Sequence, residues 1–179
     1  MEYKLKTIAR SGIEEALAKA QLYRFLNEPE ESESICQDIL AADPENQAAL
    51  RLLGLAITDQ FTGAVSDRCA AAESAFRALT DTYKREYYLG ILSERRAKSQ
   101  ARIGRPSQVW VPLFEDAMRH FEAAERTKPA DNEEAVLRWN RCVRLLQTIP
   151  AGQREESTGW GDDDTAPSEV GRPFAKVAR

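Results

Sequence analysis

Apolar and small side chains recur along most of this chain at steps of three and four residues, the spacing that gathers side chains on one face of an α-helix. LRLLGLAI sets Leu50, Leu53, Gly54 and Ile57 on one such face, and Ala72, Phe76 and Leu79 follow at intervals of 4 and 3. AMRHFEAAERTKP places Ala117, Phe121, Ala124 and Pro129 at intervals of 4, 3 and 5, and SESICQDILAADP repeats them with Ser32, Cys36, Ile39 and Pro44. Ala, Leu, Glu, Arg and Gln dominate and β-branched runs are absent, so the body is all-α, drawn as seven helices with Gly and Pro falling between segments.

Local signals set the boundaries. Ser11 and Glu14 have the spacing of a capping box, and Asn27 tolerates the left-handed turn that ends a helix. Pro29 and Pro44 suit the first turn of the second and third helices, where an amide has no bond to lose. FTG at 61–63 interrupts after the third helix, Gly104 and Pro106 close the fifth, and Pro129 separates the sixth from the seventh. From Ala151 the composition turns to Gly, Pro, Ser and Asp without an apolar period, which predicts a disordered tail. The expected organisation is an N-terminal segment over 1–11, a helical domain over 12–149 and the tail over 150–179.

The repeated spacing, with the Leu-Gly pair at Leu53 and Gly54 restated at Leu89 and Gly90, resembles the tetratricopeptide repeat. The resemblance covers about residues 12–148 and implies a right-handed superhelix of antiparallel helix pairs, about three repeats plus a C-terminal capping helix, DNEEAVLRWNRCVRLLQ. The first repeat departs from the pattern, with Lys19 and Ala20 where leucine and glycine stand elsewhere. Pro44 and Pro129 lie 85 residues apart, about 17 more than two periods of about 34 residues. The excess is assigned to FTGAVS and to IGRPSQVWVP, the second as extra turns on long helices.

Composition narrows the classes of function. A chain of 179 residues, 42% hydrophobic and 30% charged, reads as one soluble domain. No apolar run approaches the roughly 20 residues that span a bilayer, and MEYKLKTIARSG lacks the apolar core of a secretory signal. The expectation is a cytoplasmic protein with no membrane association. Cys36, Cys69 and Cys142 are far apart without any CxxC, so reduced and packed thiols are expected rather than disulfides or a zinc site. A net charge of −4 makes no overall case for nucleic acid.

Catalytic constellations are lacking in the sequence. The single histidine, His120, has no serine or cysteine motif beside it, Asp162, Asp163 and Asp164 lack the spacing of a calcium loop, and no phosphate-cradling glycine motif occurs. Neither enzyme activity nor a metal or cofactor is expected. Binding remains, and a solenoid of this kind binds along the concave face lined by the first helix of each pair. Residues 84–105 carry seven Lys or Arg against two Glu, with Tyr87, Ile91, Glu94, Arg95, Lys98, Arg102 and Arg105 recurring on one side. Arg138 and Arg141 on the last helix extend that wall, while Ala135, Trp139, Cys142, Val143 and Leu146 form an apolar stripe that places Trp139 in the core. Toward the first repeat the corresponding face shows Leu17, Gln21, Arg24, Arg51 and Leu55.

The candidate groove is thus Arg24, Arg51, Leu55, Tyr87, Ile91, Arg95, Lys98, Arg102, Arg138 and Arg141, with a peptide or protein partner, acidic in character. Some tetratricopeptide co-chaperones clamp the C-terminal carboxylates of heat-shock proteins with lysines and asparagines at set places on these helices. Only Lys84 falls at such a place here, so that activity is not carried over. The expected function is a non-catalytic interaction adaptor or scaffold. The alternatives are a nucleic-acid-associated repeat using the basic face, self-association through a terminal helix, and a tail whose Trp160 and Phe174 dock in a groove.

Overall fold

The computed structural model describes residues 2–62 and 66–149. A short 3-10 turn at Arg10–Gly12 leads into seven helices: α1 Ile13–Phe25, α2 Pro29–Ala42, α3 Gln47–Asp59, α4 Ser66–Arg77, α5 Thr82–Arg102, α6 Ser107–Glu125 and α7 Glu134–Gln147. No strand occurs among the described residues, so the all-α reading holds there. The extra residues lengthen helices as expected, since α5 has 21 and α6 has 19 against 13 for α1 and α3. The tail over 150–179, with its Asp162 to Asp164 run, Trp160 and Phe174, lies outside the described residues, as does Gly63 of FTG.

The helix ends show which local signals prevail. Asn27 takes φ 61° after α1, and Pro29 opens α2 at its first turn. Two expected starts are corrected. The Ser11 and Glu14 box does not form: Ser11 lies inside the 3-10 turn, whose last bond runs from the Ile13 amide to the Arg10 carbonyl, and Gly12 stands at the start of α1 without a side-chain cap. Pro44 stays in the turn after α2, and Asn46 begins α3 instead, its side chain accepting from the Ala49 amide at 3.0 Å and donating to Asp43 at 3.0 Å. Asp81 caps α5 in the same way, accepting from the Lys84 amide at 3.0 Å. One proline falls within a helix against expectation: Pro112 sits in α6, between Val111 and Phe114, whose buried side chains hold the helix to the core across the missing amide bond.

Connections of a few residues force each helix back along its predecessor. Consecutive helices pack, and α3 also touches α1 and α5. Arg24 near the end of α1 reaches Asp59 at the end of α3, and Gln47 at the start of α3 reaches Thr80 just before α5. The odd-numbered helices therefore run in one sense and share a face.

Two contacts explain the Leu-Gly spacing. A Cβ built on Gly54 would lie 2.3 Å from the Phe76 ring, and one on Gly90 would lie 2.6 Å from the Phe121 ring. Both rings are fully buried, Phe76 stacked on Tyr88 and Phe121 tilted against Tyr87. The first helix pair solves the same problem differently, packing Ala20 with Cys36 and Leu52. Where alanine replaces glycine on one helix, cysteine replaces phenylalanine on its partner.

All three cysteines are free and buried, as expected from their spacing. Burial pushes the Cys36 thiol up to about 11 and the Cys142 thiol up to about 12, from an ordinary 9.0. Burial likewise pushes the Tyr83 phenol up to about 12 from 10.0, its hydroxyl donating to Asn132 at 2.8 Å. A raised pKa means that the folded state prefers the neutral form. These groups contribute their full stability below the unfolded values of 9.0 and 10.0 and lose it as pH climbs toward about 12. Urea midpoints under reducing conditions should be flat from pH 7 to pH 9 and fall above it, and Cys142→Ala should blunt that fall.

Candidate functional site

The face shared by the odd-numbered helices carries the predicted cations, but most are engaged in a network that the sequence does not announce. Asp59 at the end of α3 is its centre. One carboxylate oxygen, Oδ2, accepts from Arg24 Nε of α1 at 2.7 Å, and Oδ1 pairs with Arg95 Nη1 of α5 at 2.6 Å. Arg95 Nη1 also donates to the Leu55 carbonyl at 3.1 Å and to the Thr58 hydroxyl, which itself donates to Leu55 O at 2.9 Å. Burial pulls the Arg95 guanidinium below its ordinary value, with the Asp59 carboxylate acting against that pull. Arg95 is thus a fixed wall of the site.

A second knot joins α5 to α7. Glu94 is only 1% exposed and holds Lys98, one turn along α5, and Arg138 of α7 at 3.4 Å. Beside Lys98 and the ion pair of Asp59 with Arg95 a pocket of about 170 Å3 opens between the ends of α3 and α5, lined by Thr58, Asp59, Phe61, Arg95, Lys98, Ser99 and Arg102. Arg102 is exposed at the last turn of α5.

Of the ten predicted groove residues, the structure gathers Arg95, Lys98 and Arg102 at one pocket and ties Arg24 and Arg138 to it through Asp59 and Glu94. Arg51 lies apart. It points its guanidinium at the Tyr88 hydroxyl, 3.5 Å away, beside a second pocket of about 500 Å3 lined also by Gln47, Thr80, Asp81 and Lys84. Arg141 is exposed on α7. Three residues are corrected. Leu55 and Tyr87 are 9% exposed and Ile91 is 3% exposed, all within the main core cluster, because neighbouring helices cover the stripe that a single helix appears to present.

The expectation for α7 is corrected in the opposite direction. Trp139, assigned to the core, is 38% exposed and Leu137 is 65% exposed, since among the described residues no helix follows to cover that side. His120 packs in α6 with Nδ1 2.8 Å from Glu86 Oε2 of α5. Beside it the Ser93 hydroxyl donates to Asp116 at 2.6 Å, so this polar seam fastens α5 to α6.

Sequence reasoning missed Asp59 and Ser99, and it placed Glu94 on the face of α5 without its role as a buried partner of two cations. A partial signal for the first existed: Asp59 and Arg95 stand at the same place beyond Gly54 and Gly90, and Arg24 lies one residue short of that place beyond Ala20, so an acid sits between two arginines on successive odd-numbered helices. Glu94 has no such signature, because an acid four residues before a lysine is the ordinary mark of a solvated helix face. No family model, no curated protein and no solved structure matches the chain.

Proposed function

We propose that this chain is a tetratricopeptide-like solenoid of helix pairs that acts as a non-catalytic adaptor, holding an acidic peptide segment of a partner protein along the face of its odd-numbered helices. The observation that carries the reading is charge. Four cations, Arg24, Arg95, Lys98 and Arg138, converge there on two carboxylates, Asp59 and Glu94, and Arg102 lines the same pocket as a fifth. Each carboxylate is shared between two cations, so the face keeps a positive excess although the chain as a whole is at −4. The Gly54 with Phe76 and Gly90 with Phe121 interlocks support the repeat reading.

The same pairings weigh against a nucleic-acid role. Each anchored arginine is already committed to a carboxylate, which leaves few mobile cations to track a phosphate backbone. The test is fluorescence anisotropy with labelled acidic, neutral and basic peptides of equal length. Exposed cations are reversed so that the buried pairs stay intact: Arg102→Glu with Arg141→Glu should weaken the acidic peptide by roughly tenfold, about 1.4 kcal/mol. Equal binding of acidic and basic peptides, or no loss in the double variant, would refute the reading.

A further inference from the structure

We infer that the pocket between the ends of α3 and α5 is a subsite for a phosphate monoester dianion, carried on a phosphorylated side chain of the bound segment. The inference rests on the peptide-binding reading and names the chemistry of its ligand.

The first support is an unmet hydrogen bond. Ser99 lines the pocket, is 3% exposed, and its hydroxyl has no hydrogen-bond partner. A buried hydroxyl is normally satisfied, and an orphan beside an open pocket marks a place where a ligand oxygen completes the set. Arg102 is the second. It lies three residues beyond Ser99 on the same helical face, and no hydrogen bond or ion pair to another described residue engages it.

Charge then selects the ligand. Counted with their direct partners, the charges of the pocket lining are Arg24, Arg95, Lys98 and Arg102 against Asp59 and Glu94, an excess of two positive charges. A carboxylate would leave one unbalanced, whereas a phosphate monoester near pH 7 carries about −1.5 to −2. A phosphodiester group carries a single negative charge and meets the same shortfall. The volume of about 170 Å3 also exceeds the share of one water, about 30 Å3. Geometry is preset: the Asp59, Leu55 and Thr58 contacts of Arg95 all run through Nη1 and fix the plane of its guanidinium. A fixed guanidinium fork matches a tetrahedral oxyanion better than a mobile lysine does.

The test uses the full chain at pH 7.5 and constant ionic strength. Inorganic phosphate and acetate are titrated separately while backbone amide resonances of Ser99 and Arg102 are followed. Phosphate should move both at millimolar concentration and acetate should move neither. A serine-phosphorylated acidic peptide should then bind at least tenfold more tightly than its unmodified twin. Arg102→Gln should erase most of that preference. Ser99→Ala should reduce it severalfold while leaving the melting temperature unchanged or higher, because the orphan hydroxyl is gone.

Equal shifts from phosphate and acetate would overturn the subsite and leave the acidic groove standing if the unmodified peptide still binds. Phosphate binding with no binding of either peptide would overturn the peptide as its source and the groove reading with it. A single-stranded oligonucleotide that moves the same amides more strongly than the phosphopeptide, with a steep salt dependence, would assign the pocket to nucleic acid and end the proposal.

Discussion

Gly54→Ala is expected to destabilise the fold by about 1 to 3 kcal/mol, although alanine is the better helix former by roughly 1 kcal/mol. Steric overlap decides the sign. The added methyl would stand 2.3 Å from a Phe76 ring carbon, and the ring cannot swing aside because it is fully buried and stacked on Tyr88 at 5.4 Å. Gly90→Ala meets Phe121 at 2.6 Å and should behave alike. Neither position has a positive φ, so backbone strain adds nothing. Since 1 kcal/mol moves the melting temperature of a domain of this size by about 2 to 4 °C, thermal melts resolve the effect.

The pairing of Ala20 with Cys36 supplies an internal control for that prediction. If a large ring demands glycine opposite and a small thiol permits alanine, then Gly54→Ala should cost much less in a Phe76→Cys background. The two substitutions would show a favourable coupling in a double-mutant cycle. An equal cost in both backgrounds would mean that the glycine serves something other than the helix approach.

That pairing also shows why the architecture was legible and the site only half so. The interval between Leu53, Gly54 and Phe76 is written within one stretch of chain, and close packing of two adjacent helices leaves little else that it can mean. Capping was less legible because several residues compete for each helix start, and Asn46 displaced Pro44 while the Arg10 turn displaced Ser11. For the candidate site, the cations could be found on the helical repeat, but their partners could not. Whether Arg95 is solvated or walled in depends on Asp59 and Thr58 from another helix, and on Arg24 from a third. Leu55, Tyr87 and Ile91 were misplaced for the same reason, since a helical wheel shows which side chains share a stripe and never what covers the stripe.

Glu94 is where stability and binding should part company. Its carboxylate is buried between Lys98 and Arg138, whose side chains remain 34% and 42% exposed. Removing one partner of a buried pair leaves the remaining charge uncompensated, at a cost of about 3 to 5 kcal/mol. The partial exposure of both cations sets the expectation for Glu94→Gln at the low end, about 3 kcal/mol, read from urea midpoints. Adding Lys98→Met should recover part of that loss, because the excess positive charge in the knot then falls to Arg138 alone. Binding should move the other way. In Glu94→Gln the Lys98 ammonium is freed on the wall of the phosphate pocket and the face gains one positive charge. Affinity for the phosphorylated acidic peptide should therefore rise severalfold under conditions where the variant is still folded. A variant that loses stability and affinity together would show that Glu94 shapes the pocket through Arg138 rather than restraining its charge, and the electrostatic account of this face would have to be abandoned.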